Sequence, residues 1–204
     1  MKHLVPLLTM LVTGCVIHSI HPIGTEKSQV VPKNLIGQWR LLRGLSGNDL
    51  TPKKISPWEL DLGDETKKTF QLVTFDEENA RAEFEARFFK IGQATFLDVV
   101  PDDLGEEVKL NAYWRMSVHP VHGVAKVVTT DDEMRLHLLS YEWVKKSLKA
   151  KAITLSYTGD LDDFILVTAT TPEWETFLTR YGNDTNAFPA EAAFVLKRVA
   201  AKKP

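Results

Sequence analysis

One cysteine stands in the whole chain, at position 15, so no internal disulfide can form and the fold must be held by its core. No stretch of about 20 apolar residues marks a membrane-spanning helix. Lysine and arginine nearly balance aspartate and glutamate, for a formal charge of −2. They form no basic stripe, which argues against nucleic acid as a partner. There is no G-x-S-x-G, no phosphate-binding G-x-x-x-x-G-K-[ST] and no G-x-G-x-x-G, and no cysteine is left for catalysis. Nothing points to an enzyme or to a cofactor. Internal repeats and low-complexity runs are also lacking.

The N-terminus has the parts of an export signal: basic Lys2, an apolar run from Leu4 to Val12, and small residues before Cys15. Val12-Thr13-Gly14-Cys15 resembles the bacterial lipobox. That resemblance implies diacylglyceryl lipidation of Cys15, cleavage before it, and a mature protein anchored by several acyl chains, since one chain alone holds a membrane only marginally. Val16, rather than aspartate, follows the cysteine, which by the same resemblance favours the outer membrane, facing the periplasm. Residues 1–14 are thus read as a signal peptide. Residues 15–33 carry the lipid and, with Pro22, Gly24, Ser28 and Pro32 and no sustained period, are read as a flexible tether. Residues 34–204 form the domain.

Within that domain the dominant signal has period two. From Ala80 to Phe88 every even residue is apolar and every odd one charged, as one buried and one solvated strand face require. Trp58–Leu62 and Met134–Leu138 repeat the pattern. Further strands are expected near 35–43, 68–75, 93–99, 121–128, 152–158, 163–169 and 192–199. Short turn-rich clusters between them imply antiparallel hairpins. Two segments break the rule. Trp174, Phe177, Leu178 and Tyr181 share a helical face, and Thr171-Pro172-Glu173 before them offers an N-cap hydroxyl, a proline at the first helical position and an acid in the first turn, predicting a helix over 172–182. A second, over about 141–150, starts after Ser140 and keeps Lys145, Lys146 and Lys149 outward. The chain is therefore expected to be mainly β: one antiparallel barrel with two short helices.

Leu35-Ile36-Gly37-Gln38-Trp39 resembles the Gly-x-Trp signature that opens lipocalin-like barrels, in which the tryptophan plugs one end. The stretch from Phe96-Leu97-Asp98 through Pro120-Val121-His122 to Glu142-Trp143 and the helix at 172–182 is similar to uncharacterised bacterial lipoproteins with a lipocalin-like domain. A helix–strand–strand–helix insertion before the last strand departs from typical lipocalins. The resemblance implies a barrel that takes a small apolar or amphipathic ligand, with Trp39, Phe70, Phe84, Phe88 and Phe96 as wall residues.

Other groups carry less. His18-x-x-His21 and His119-x-x-His122 have a metal-like spacing, but residues i and i+3 of a strand point to opposite faces, so no metal site is assigned. The acids at 76–78 and at 102, 103, 106 and 107 lie in turns and lack a calcium-loop pattern. The alternative to a ligand-binding barrel is a packed, ligand-free module for protein interaction or envelope assembly. Its contact patch would lie around Tyr113, Trp114 and Met116.

Overall fold

The alternation in residues 80–88 becomes the two faces of one long strand, and seven other strands with the same pattern close around it. A computed structural model describes residues 16–44, 50, 55–76, 78–102, 120–191 and 193–200. In chain order the elements are β1 (His18–Ser19), β2 (Gln29–Val30), β3 (Gly37–Arg43), β4 (Trp58–Leu62), β5 (Phe70–Phe75), β6 (Arg81–Ile91), β7 (Ala94–Pro101), β8 (His122–Thr129) and β9 (Glu133–Leu138). There follow α1 (Tyr141–Lys149), β10 (Tyr157–Gly159), β11 (Ile165–Val167), α2 (Thr171–Tyr181) and β12 (Ala193–Arg198). Strands β3 to β9 pair antiparallel with their sequence neighbours, and β12 bridges β9 to β3. Among the described residues the result is a closed eight-stranded antiparallel barrel with two α-helices, as expected from the sequence. Closure leaves no strand edge within the barrel unpaired along its circuit.

Two cores follow from this closure. Inside the barrel lie Trp39, Leu41, Leu60, Phe70, Leu72, Ala86, Phe88, Leu97, Leu136 and Leu196. The second core lies outside the wall. On β6 the outward residues are charged at Arg81, Glu83, Glu85 and Arg87, then apolar at Phe89 and Ile91. With Phe96 and Val124 they bury against Trp174, Phe177 and Leu178 of α2 and Val144 of α1. Each such side chain removed from water contributes roughly 1.5–3 kcal/mol, which is what holds the insertion against the barrel.

Both helices form where expected, with one shift. Ser140 caps α1 by accepting from the Trp143 amide at 3.3 Å. The cap of α2 is Thr170 rather than Thr171: its amide and hydroxyl both donate to Glu173 Oε2, at 2.7 and 2.9 Å. A capping box needs its hydroxyl three residues before the glutamate, and that spacing selects Thr170.

Two expectations are corrected. Of the strand expected at 152–158 only its end pairs, in β10. The alternation there reflects burial of Ile153 and Leu155 in the outer core, not a ladder. The segment expected as a tether, 16–33, is docked on the barrel. Its β1 pairs antiparallel with β8 and parallel with β11, and its β2 pairs with β6. Ile17 and Ile23 are fully buried. Gly24 lies so close beneath Phe89 that a Cβ there would fall 2.3 Å from the ring. The segment shows no sequence period because two-residue strands joined by turns are too short to produce one.

Candidate functional site

The two ends of the barrel are built differently. Strands β3, β5, β7 and β12 bring Gly37, Phe70, Ala94 and Arg198 to one end, and this end is filled. Gly37 takes a φ of 130°, a conformation side chains rarely adopt, where the chain turns from a short 3-10 segment into β3. Trp39 lies 1% exposed with its indole N–H donating to Leu35 O at 2.8 Å. Phe70 and Phe88 meet edge to face at 5.1 Å beside it. Arg198 closes the base: its guanidinium lies 4.2 Å from the Trp39 ring centroid and donates to the carbonyls of Ile36 and Asn34.

The opposite end holds a cavity of about 550 Å³, within the range of small-molecule sites. Its wall is mainly apolar and includes Leu41, Trp58, Leu72, Phe84, Val99 and Leu138. Trp58 is the β-ladder partner of Trp39, yet the two indoles diverge. Trp39 reaches back toward the closed end, whereas Trp58 donates to Phe75 O, at the open end of β5, at 2.8 Å and packs on Phe194 at 5.4 Å. The void begins where the paired tryptophans part.

The mouth is completed by the N-terminal segment. Val16 and His18 line the cavity beside Gly123, the ladder partner of His18, while Ile17 and Ser19 turn into the outer core. His18 is the polar exception in this stretch of wall, and burial lowers its pKa, favouring neutral imidazole. Its Nδ1 is buried without a hydrogen-bond partner among the described residues.

Several hydrogen bonds fix this segment. Buried Asp98 accepts from the Ile23 amide at 3.1 Å and from His122 Nδ1 at 2.6 Å. Ser19 Oγ accepts from the Trp174 indole at 2.9 Å. Glu175 accepts from Thr25 and Ser28, at 3.0 and 2.7 Å for their hydroxyls, and the Ser28 bond leads in lowering its pKa. None of these three anchors was apparent in the sequence, because each ties the N-terminal segment to a residue more than seventy positions away.

Of the five aromatic residues expected in a binding wall, Phe84 lines the cavity. Trp39, Phe70 and Phe88 are packing at the closed end. Phe96 lies outside the barrel, in the helix-covered core, against Phe188 at 5.7 Å. Ladder register decides this: Leu97 faces Phe88 and points inward, so Phe96, opposite Phe89, points out. His18 faces the cavity and His122 faces Asp98 on the outer side, and no group of three metal-competent side chains occurs among the described residues. Cys15, His119, Tyr113, Trp114 and Met116 lie outside the described residues, as do the acids at 77, 103, 106 and 107. Asp76 is a turn former, accepting from the amides of Glu78 and Ala80. No helix among the described residues is long and apolar enough to cross a membrane. Compared with known proteins, the chain matches no family model, no curated protein and no solved structure.

Proposed function

We propose that this chain is a lipid-anchored protein of the bacterial envelope whose barrel binds a small apolar or amphipathic molecule. The observation that carries this reading is the cavity of about 550 Å³ at one end of an otherwise packed barrel. Burying apolar ligand surface against such a wall favours binding at roughly 25 cal/mol per Å². His18, with Thr74, Asp76 and Glu78, adds polar groups to the lining, suited to a ligand with a polar end. The lipobox-like residues ending in Cys15 support the anchor, and Val16 after it supports an outer-membrane location facing the periplasm. The Gly37-x-Trp39 plug supports kinship with lipocalin-like lipoproteins. The cavity favours this reading over a packed interaction module.

Two experiments test it. Metabolic labelling with a fatty acid should mark the wild-type chain and not Cys15→Ser; equal labelling of both would refute the anchor. Titration of the Cys15→Ser chain with a fluorescent fatty acid should give saturable one-to-one binding that Leu138→Trp abolishes. Absence of binding in the folded Cys15→Ser chain would refute the binding barrel.

A further inference from the structure

Val16 lines the mouth of the cavity, and Cys15 is the residue before it in the chain. The direction of the segment is fixed as well. Its strand β1 is paired on both sides, and alternation sends Val16 and His18 to the cavity while Ile17 and Ser19 enter the outer core. Bonds from Ile23 to Asp98, from Trp174 to Ser19, and from Thr25 and Ser28 to Glu175 hold it there. A flexible tether would let a lipid on Cys15 sample a wide volume; this docked segment delivers it to one rim.

We propose that one acyl chain of the lipid on Cys15 occupies the open-end cavity of the same molecule. This rests on the lipidated, ligand-binding reading above and names the ligand and its source. The chemistry is that of any fatty acyl tail: a flexible apolar chain against a wall of Leu41, Trp58, Leu72, Phe84 and Leu138. The source follows from covalent attachment at the rim. A tethered ligand binds without the translational cost met by a lipid from solution or membrane, and at an effective concentration set by a short connection. His18, two residues beyond Val16 on the same face, offers a neutral imidazole to the ester oxygens at the head of such a lipid. Only the remaining chains would then enter the bilayer, so cavity occupancy weakens membrane attachment.

The test uses the full chain in intact bacteria, with Phe84 replaced by photoreactive p-benzoyl-phenylalanine. Parallel chains carry it at Leu138, in case the first disturbs the wall, and at exposed Val128 on the outer face as control. After irradiation and digestion, the inference expects the peptide bearing position 84 or 138 joined to the lipidated N-terminal peptide, with no other lipid mass. Position 128 should yield no such product. A phospholipid adduct at 84 or 138 would overturn self-occupancy while leaving a lipid-binding barrel intact. No lipid adduct at either position would also overturn it, and probe titration of Cys15→Ser would then judge the binding barrel separately.

Discussion

The closed and open ends of the barrel are made from the same strands and the same inward alternation, yet one is solid and the other hollow. At the closed end Trp39, Phe70 and Phe88 interlock, and Arg198 seals the base. At the open end the inward residues include Leu72, Val99 and Leu138, with Phe84 half-buried beside them. Alternation therefore determines which side chains point inward, and side-chain volume and direction determine whether they meet.

The sharpest way to break this comparison is to truncate equivalent aromatics at the two ends. Phe70→Ala should lose about 3–5 kcal/mol, since a packed site cannot collapse around the missing ring. Phe84→Ala should lose only about 1 kcal/mol, because its ring borders an existing void. Urea denaturation measures both, and similar losses would mean that the open end is packed like the closed one. Next in size, Arg198→Ala should cost about 2 kcal/mol by removing the stacking on Trp39 and the bonds to Ile36 and Asn34. Near-ultraviolet circular dichroism should report loosening around Trp39 in the same variant. Leu138→Trp should change stability by less than about 1.5 kcal/mol, because the larger ring enters a void instead of a filled core. A larger loss on thermal denaturation would contradict the cavity.

The smallest effect concerns the docked N-terminal segment. Folding lowers the pKa of His18 through burial and of Glu175 chiefly through the Ser28 hydrogen bond. Both groups therefore add stability above their unfolded pKa values and lose it as pH falls through their lowered folded values. The His18 contribution starts to fade below about pH 6.5 and that of Glu175 below about pH 4.3. Amide exchange at Ile17 and Ile23, corrected for its intrinsic pH dependence, should lose protection in that order while the barrel strands hold. Equal loss throughout would place the segment in the same cooperative unit as the barrel.

Much of the barrel was legible in the sequence because a half-buried strand writes its two faces as alternating residues, most clearly at 80–88. The break in that alternation at Phe88-Phe89 also marks where the outer face becomes apolar and meets α2. Phe96 was harder to place: the segment Phe96-Leu97 offers an apolar residue to either face, and only pairing with β6 decides. The docking of residues 16–30 left no periodic trace, since its contacts are single buried residues and long-range bonds to Asp98, Trp174 and Glu175. The cavity was illegible for a different reason. A void depends on how far side chains reach across the barrel, and no local pattern records that.

Methyl-resolved NMR of the Cys15→Ser chain, titrated with a medium-chain fatty acid, tests the central claim most directly. The account predicts saturable shifts at Leu41, Leu72, Val99 and Leu138 with little change at Leu35, Leu60 and Leu196. Shifts at the closed end, or none in either set, would contradict a ligand site in the open end of the barrel.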